Sequence, residues 1–187
     1  ELGAKSVIFC PAFPANARTI YQGHLFVGDR LLSESSMRDH PITPMRDADL
    51  LRVLGRQTRR GVGLLPLSVV EAGPDAICAA VAREVEAGRS FLVADAIADV
   101  HLLSLGRALA GSPLITGGSG IAMGLAANFG LRPAEVRAAK LLDIPKGRRL
   151  VLSGSCSETT RRQVAHATAS GLPSIQIDPI RLASGAQ

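Results

Sequence analysis

A glycine-rich corner offers the first possible chemistry in this chain. Gly117-Gly118-Ser119-Gly120 follows a short apolar run, and a helical pattern begins directly after it. Glycines allow a sharp turn after a strand, and the backbone amides at a helix N-terminus favour an anion. The residues leave two interpretations open. Gly118, Ser119 and Gly120 form a nest for a phosphate or another anion, or they form only a tight structural turn.

The same corner also resembles a loose dinucleotide fingerprint, Gly118-x-Gly120-x-x-x-Gly124. An NAD(P)-dependent oxidoreductase needs an acidic residue about 20 residues later, at the end of a second strand, to hold the ribose. Asp143 lies at about that distance, but in a segment with no strand pattern. The oxidoreductase therefore remains a less favoured alternative.

A second corner, Ser153-Gly154-Ser155-Cys156-Ser157, follows an apolar run and precedes a helical pattern. Hydroxyl side chains at a helix N-terminus either cap the helix or contact a bound phosphate, and the residues leave both interpretations open. No lysine follows at the spacing of a P-loop. Cys156 has no histidine nearby in sequence that would identify a base, so no catalytic residue is assigned.

The third candidate is a polar segment from Cys10 to Asp29, punctuated by Pro11 and Pro14. It presents Arg18 and Asp29 on a predicted hairpin that follows a strand end. A guanidinium and a carboxylate there would suit the rim of a pocket for a carboxylated, hydroxylated ligand. The alternative is an ordinary surface hairpin on which Arg18 pairs with Asp29.

The elements that would position these residues alternate between apolar runs and helical patterns. This alternation predicts parallel βαβ units, and hence an α/β fold with a mostly parallel sheet and flanking helices. Asp47 and Asp99 are expected to cap helices, and a further helix is expected from Pro74 to Gly88. The expected strands are 6–10, 62–66, 91–94 and 114–116, and a hairpin with a polar, exposed connection is expected at 19–27.

Two domains are predicted, 1–143 and 144–187, joined through a proline-containing linker at 130–147. The second would begin with a βαβ unit of a second α/β domain. Because a piece of this size cannot bury its own core, we expect it to lean on the first domain or on further chain. The elements of this unit are expected at 149–152 (strand), 158–169 (helix) and 174–178 (strand).

Composition narrows the range of partners. Lys and Arg outnumber Asp and Glu by 21 to 16, a net charge of +5 that favours small anions. One tyrosine and no tryptophan argue against nucleic acid, and no apolar run has membrane-spanning length. Three cysteines without metal-type spacing predict no metal site and suit a reducing cytoplasm, and Cys10 and Cys78 are expected to be buried thiols. A homo-oligomer is left open.

Several motifs, taken in order, resemble the four-carbon acid sugar kinase family. They are the run from Cys10 to Asp29, Leu32-Ser-Glu-Ser35, His40-Pro-Ile-Thr-Pro-Met45, Thr116-Gly-Gly-Ser-Gly120 and Val151-Leu-Ser-Gly-Ser-Cys-Ser157. The likeness covers essentially the whole chain and is closest to the 3-oxo-tetronate kinases of that family. It implies an ATP-dependent kinase, usually with Mg²⁺, that phosphorylates the terminal hydroxyl of threonate, erythronate or 3-oxo-tetronate.

The resemblance also implies roles for the candidate residues. The first domain would be the later part of a sugar-acid domain, the second would begin a nucleotide domain, and the two substrates would meet in the cleft between them. No catalytic base is identified. The implied ATP contacts are Ser153, Gly154, Ser155 and, foremost, Ser157. The implied sugar-acid contacts are Arg18, Asp29, Gly118, Ser119 and Gly120.

The chain departs from the family pattern in two ways. Ala17 stands where the family usually has glycine, directly before Arg18. The family's N-terminal Asp-Asp-x-Thr-Gly and C-terminal Gly-Gly-Glu-Thr segments do not occur in this sequence. We therefore expect the chain to be the middle of such a kinase and to be inactive alone. A non-catalytic module that binds an anion or a nucleotide is the alternative.

Overall fold

The computed structural model describes residues 2–131, 147–155 and 157–185. The chain divides into two compact units, Glu1–Val136 and Arg137–Gln187. The predicted domain boundary at 143/144 and Cys156 both lie outside the described residues, as does most of the predicted linker.

Apolar runs bounded by proline or glycine form the parallel sheet of the first unit, as predicted. Elements are numbered in chain order. The sheet has four parallel strands in the order β5-β6-β1-β7, and Ile8 of β1 lies opposite both Leu92 and Ile115. These strands are β1 (Val7–Cys10), β5 (Gly61–Leu65), β6 (Arg89–Ala94) and β7 (Ile115–Gly117).

An antiparallel sheet of three strands follows β1 and includes the predicted hairpin. Its strands are β2 (Arg18–Tyr21), β3 (His24–Val27) and β4 (Arg30–Leu31). Gln22 and Gly23 join β2 to β3 with φ values of 50° and 71°, the positive φ pair of a type I′ turn. The prediction of an exposed connection is wrong for Gly23, which is buried.

The helices of the first unit are α1 (Leu50–Gly55), α2 (Leu67–Glu71), α3 (Pro74–Glu86), α4 (Asp99–Ala108) and α5 (Ala122–Leu125). Helix α1 packs on β5, while α2, α3 and α4 pack against one another and α5 packs on α4. Ile77, Leu92 and Leu102 are fully buried in the resulting core. The mixed α/β architecture is therefore confirmed.

Two helix caps differ from prediction. The N-cap of α1 is Asp49, whose Oδ1 accepts the Arg52 N–H at 3.1 Å, whereas Asp47 binds the Arg52 guanidinium. The N-cap of α4 is Ala98, one residue before Asp99. There the Nδ1 atom of His101 accepts the backbone N–H groups of Ile97 and Ala98, at 3.1 and 3.2 Å. An imidazole replaces the expected carboxylate cap.

Helices α4 and α5 cross with almost no space between their backbones. A Cβ on Gly106 would lie well under 3.0 Å from the carbonyl oxygen of Gly124. The Asn128 side chain donates a 2.7 Å hydrogen bond to the Gly106 carbonyl oxygen. Two glycines at the crossing therefore bring the chain after β7 close to α4.

The second unit contains the predicted helix, α6 (Glu158–Ala169), and a shorter one, α7 (Pro179–Ala183). The strands predicted at 149–152 and 174–178 are wrong, because neither segment forms a strand. Val151 and Ile175 are 88% and 91% exposed. A strand needs a neighbour for its N–H and C=O groups, and the described residues of this unit provide none.

Candidate functional site

The carboxyl ends of the parallel strands contain a topological switch point. Within the parallel sheet, the next strand after β1 is β5, at one edge, whereas the next strand after β6 is β7, at the other edge. Strands β1 and β6 are neighbours, and the chain that follows each of them runs toward the opposite edge of the sheet. Ligands in open α/β sheets bind outside the carboxyl ends of strands at such a point. The carboxyl ends of β1 and β6 are therefore the expected place for a ligand of the first unit.

The glycine corner follows β7 and packs tightly on the chain that leaves β1. A Cβ on Gly120 would lie under 3.0 Å from the Ala12 carbonyl oxygen and 3.1 Å from the Cα of Phe13. A Cβ on Gly118 would lie 3.2 Å from the Pro11 carbonyl oxygen. Close backbone approach therefore explains these glycines structurally, while Ser119 remains exposed. Anion binding by this corner stays a prediction.

Arg18 reaches the same short segment from the hairpin. Its backbone pairs with Phe13, with the Phe13 N–H donating to the Arg18 carbonyl oxygen at 2.7 Å and the Arg18 N–H donating to the Phe13 carbonyl oxygen at 3.1 Å. Its side chain makes no hydrogen bond or ion pair with the residues that the structure describes. The structure thus brings Arg18 and the Gly118–Gly120 corner to one stretch of chain, residues 11–13.

Ala17, at the position where the resemblance implies glycine, has the backbone conformation that glycine favours. Its φ and ψ are 54° and 31°, in the left-handed region. Its N–H donates to the Pro14 carbonyl oxygen at 2.8 Å, and its own carbonyl oxygen accepts the Gly28 N–H at 2.7 Å. The turn before Arg18 is therefore formed with alanine, at a strain cost of about 1–2 kcal/mol.

Asp29 lies in the turn between β3 and β4, at the same end of the antiparallel sheet as Arg18. Val27 pairs with Arg18, and Asp29 follows two residues later. No ion pair joins the two side chains in the described part of the chain, so the alternative of a simple Arg18–Asp29 pair is not seen. Both side chains are exposed and available to a ligand.

Sequence reasoning missed Asp95, the residue that follows β6 at the switch point. Its side chain is fully buried. Oδ2 accepts the N–H groups of Gln22 and Leu67 at 2.8 and 3.1 Å, and Oδ1 accepts that of Gly23 at 2.9 Å. Burial raises the pKa of this carboxyl, and the three N–H donors oppose that rise. The only sequence signal for Asp95 is that an acidic residue directly follows an apolar run that predicts a strand.

The described residues of the serine corner, 153–155 and 157, are exposed and belong to neither a helix nor a strand. Ser157 is the N-cap of α6: its Oγ accepts the Thr160 N–H at 3.2 Å, while the Ser155 Oγ accepts the Ser157 N–H at 3.2 Å. The capping interpretation of Ser157 is thus confirmed. A capping serine still leaves the other amides of the first helical turn for a ligand, so the predicted ATP contact remains a prediction.

The described residues offer few other reactive or metal-binding groups. Burial raises the pKa of Cys10 to about 11, so this thiol stays protonated near neutral pH. Cys78, expected to be buried, is exposed on α3. Within the described ranges, no group of three or more His, Cys, Asp or Glu residues is arranged to hold a metal ion. No helix there combines the length and apolar character needed to cross a bilayer.

Comparisons with known proteins show similarity to a sugar-binding domain over most of the first unit. A profile of the sugar-binding N-terminal domain matches residues 1–125. A protein of Cupriavidus necator named 3-oxo-tetronate kinase is 49% identical over 98% of this chain and 43% of its own length. The chain therefore spans about two fifths of the length of this relative.

Solved structures show the same fold. A Salmonella typhimurium LT2 protein described as a putative tRNA synthase is 41% identical, with a TM-score of 0.72 over 96% of this chain and 42% of its own. A Bordetella bronchiseptica protein described as a domain of unknown function is 29% identical, with a TM-score of 0.55 over 68% of this chain and 30% of its own. The latter is a domain-swapped dimer with bound citrate.

Proposed function

The chain belongs to the four-carbon acid sugar kinase family, and from that premise we propose that its first unit binds a four-carbon sugar acid within an ATP-dependent kinase. One observation carries the proposal. Arg18 and the Gly118–Gly120 corner, separated by about a hundred residues in sequence, both contact residues 11–13 beside the switch point. A cation and a backbone turn around one segment suit a small anion.

The substrate we propose is threonate, erythronate or 3-oxo-tetronate. The Arg18 guanidinium would bind the carboxylate, since its planar fork matches that group and no described side chain competes for it. The amides of Gly118, Ser119 and Gly120 would bind further oxygens. The carboxylate of Asp29 would accept hydrogen bonds from substrate hydroxyl groups. Citrate in the Bordetella protein shows that a relative of this fold holds a carboxylated, hydroxylated molecule.

We also propose that the second unit contributes ATP contacts through Ser153, Gly154, Ser155 and Ser157. The support is the exposed start of α6, where amides and hydroxyl groups precede a helix of 12 residues. Phosphoryl transfer mainly requires alignment and neutralisation of charge, which Mg²⁺ would supply when bound with ATP. The chain alone is proposed to be inactive, and the family's catalytic base is not assigned to any of its residues.

The proposed setting is the cytoplasm, where ATP is present and the free thiols of Cys10 and Cys78 stay reduced. A homo-oligomer remains part of the proposal, in line with the Bordetella dimer. We propose no tRNA-related role for this chain, although the Salmonella protein is described as a putative tRNA synthase. The single tyrosine and the lack of tryptophan leave this chain few rings to stack on bases.

Calorimetric titration of the chain with threonate and with erythritol tests the sugar-acid site. We expect threonate to bind and erythritol, which has hydroxyl groups but no carboxylate, to bind far more weakly. Arg18→Ala should raise the threonate Kd at least about tenfold, because a charged hydrogen bond is worth about 1.5–3 kcal/mol. Arg30→Ala, an exposed arginine of the same sheet, is the matched control. Equal binding of the two ligands, or equal Kd values for the two variants, would contradict the proposal.

Titration with ATP–Mg²⁺ tests the second unit separately. Ser157→Ala should weaken ATP binding, whereas Ser170→Ala, at the opposite end of α6, should leave it unchanged. A response to NAD(P) without any response to ATP would favour the oxidoreductase instead. Binding of neither nucleotide by the intact chain would remove the proposed nucleotide role.

A further inference from the structure

Asp95 ties together three segments that are distant in sequence. It follows β6, accepts two N–H groups from the Gln22–Gly23 turn across more than 70 residues, and accepts the Leu67 N–H at the first residue of α2. We propose that Asp95 is a positioning residue for sugar-acid binding, which fixes the hairpin carrying Arg18 and Asp29 against the carboxyl end of the parallel sheet. This inference rests on the proposed function of that hairpin.

The geometry favours a positioning role over a catalytic one. Both Asp95 oxygens already accept backbone N–H groups, and the side chain has no exposed surface. A base that takes a proton from a substrate hydroxyl must lie within hydrogen-bonding reach of that hydroxyl. A carboxylate enclosed by three backbone donors instead holds the segments that carry those donors.

The connection from Asp95 to Arg18 runs along one short strand. Asp95 holds Gln22, the residue that follows β2, and Arg18 is the first residue of β2. Next to Asp95, Ala96 exchanges two backbone hydrogen bonds with Ile20 in the middle of β2, at 2.9 and 3.0 Å. Strand β2 is therefore fixed at two points, by the Asp95 side chain at the turn and by the Ala96 backbone at Ile20. Movement at the turn would be transmitted to Arg18 through four residues of extended chain.

The turn itself depends on this anchor. Gln22 adopts a φ of 50°, which is unfavourable for a residue with a side chain. Gly23 is buried with a φ of 71°, and a Cβ there would collide with the Leu51 side chain. Without a carboxylate, the buried N–H of Gly23 would lose its acceptor, and so would the partly buried N–H of Gln22. We therefore expect loss of the carboxylate to open the turn.

The test uses the whole chain and the variant Asp95→Asn. An amide keeps the shape of the carboxylate but places a donor group against at least one N–H. We expect the Kd for threonate to rise about tenfold at a temperature where the variant is fully folded. The Kd for ATP–Mg²⁺ should not change. An unchanged threonate Kd in the folded variant would overturn the positioning role.

A matched destabilised control separates positioning from general stability. Ile77→Val removes a buried methyl group from α3 and should lower the melting temperature without changing the threonate Kd. If Asp95 were purely structural, Asp95→Asn would also lower the melting temperature without changing the threonate Kd. Equal threonate Kd values for Asp95→Asn and for this control would therefore contradict the proposal. If the unaltered chain fails to bind threonate, the proposed sugar-acid function fails, and that result is distinct from a failure of the Asp95 inference.

Hydrogen exchange in the unaltered chain tests the proposal even if Asp95→Asn does not fold. Coupling between two sites is reciprocal, so a turn whose opening weakens threonate binding tenfold must open tenfold less often when threonate is saturating. We expect the Gln22 and Gly23 amides to exchange about ten times more slowly with threonate than without it. Exchange rates that do not respond to bound threonate would overturn the proposal.

Discussion

Replacement of Gly120 by alanine tests the packing of the glycine corner. The new Cβ would lie under 3.0 Å from the Ala12 carbonyl oxygen and 3.1 Å from the Cα and Cβ atoms of Phe13. Ordinary contact between carbon and oxygen begins at about 3.3 Å, and two of the three crowded atoms belong to the backbone. The corner and residues 11–13 must therefore separate by several tenths of an ångström, because no flexible side-chain end can move aside.

The expected cost follows from two opposing effects. Overpacking of this kind costs about 1–3 kcal/mol, whereas alanine restricts the unfolded chain and returns about 0.4–1 kcal/mol. The middle values of the two ranges give a net loss of about 1.3 kcal/mol in the free energy of unfolding. For a chain of this size that loss lowers the melting temperature by about 3–5 °C, because 1 kcal/mol shifts it by about 2–4 °C.

Thermal unfolding followed by far-ultraviolet circular dichroism measures this change. Gly111→Ala is the matched control, because a Cβ at Gly111 meets nothing within 4 Å and its φ is not positive. Its melting temperature should equal or slightly exceed that of the unaltered chain. Equal melting temperatures for Gly120→Ala and Gly111→Ala would refute the packing argument. The separation of residues 11–13 from the corner should also weaken threonate binding.

Two further predictions concern the hairpin and helix α1. Ala17→Gly should raise the free energy of unfolding by about 0.5 kcal/mol, because it relieves the left-handed strain and the flexibility of glycine offsets part of that gain. A lower melting temperature for this variant would contradict the assigned backbone conformation. The Arg52 guanidinium lowers the pKa of Asp47 from 3.8 to about 2. The resulting stabilisation is present above about pH 4 and is lost as the pH falls through about 2, and screening limits it to less than about 1 kcal/mol. Asp47→Asn should lack this acid-sensitive stabilisation, which urea unfolding at a series of pH values measures. If the free energy of unfolding depends on pH in the same way in Asp47→Asn and in the unaltered chain, the stabilising role of the Asp47–Arg52 pair is contradicted.

The parts of the fold that follow local rules were predictable from sequence. Short apolar runs ended by proline or glycine became β1, β5 and β7. The helix that starts at Pro74 ends before Gly88, whose φ is 79°. Helix α6 has the predicted bounds, with Ser157 as its cap. In each case the signal lies within a few neighbouring residues.

Features set by distant contacts were not predictable. Nothing near Asp95 in sequence indicates that Gln22 and Gly23 donate to it, because the hairpin reaches β6 only in the folded chain. Asp47 and Asp49 both precede α1, and only the folded backbone shows that Asp49 is the cap, where its Oδ1 accepts the Arg52 N–H. The apolar run at 150–152 fits a strand locally, but pairing depends on a neighbour that local sequence does not reveal.

A crystal structure of the chain with threonate tests the central claim most directly. The account predicts that the threonate carboxylate lies within hydrogen-bonding distance of the Arg18 guanidinium, beside residues 11–13 and the Gly118–Gly120 corner. Threonate bound away from both Arg18 and that corner would contradict the account.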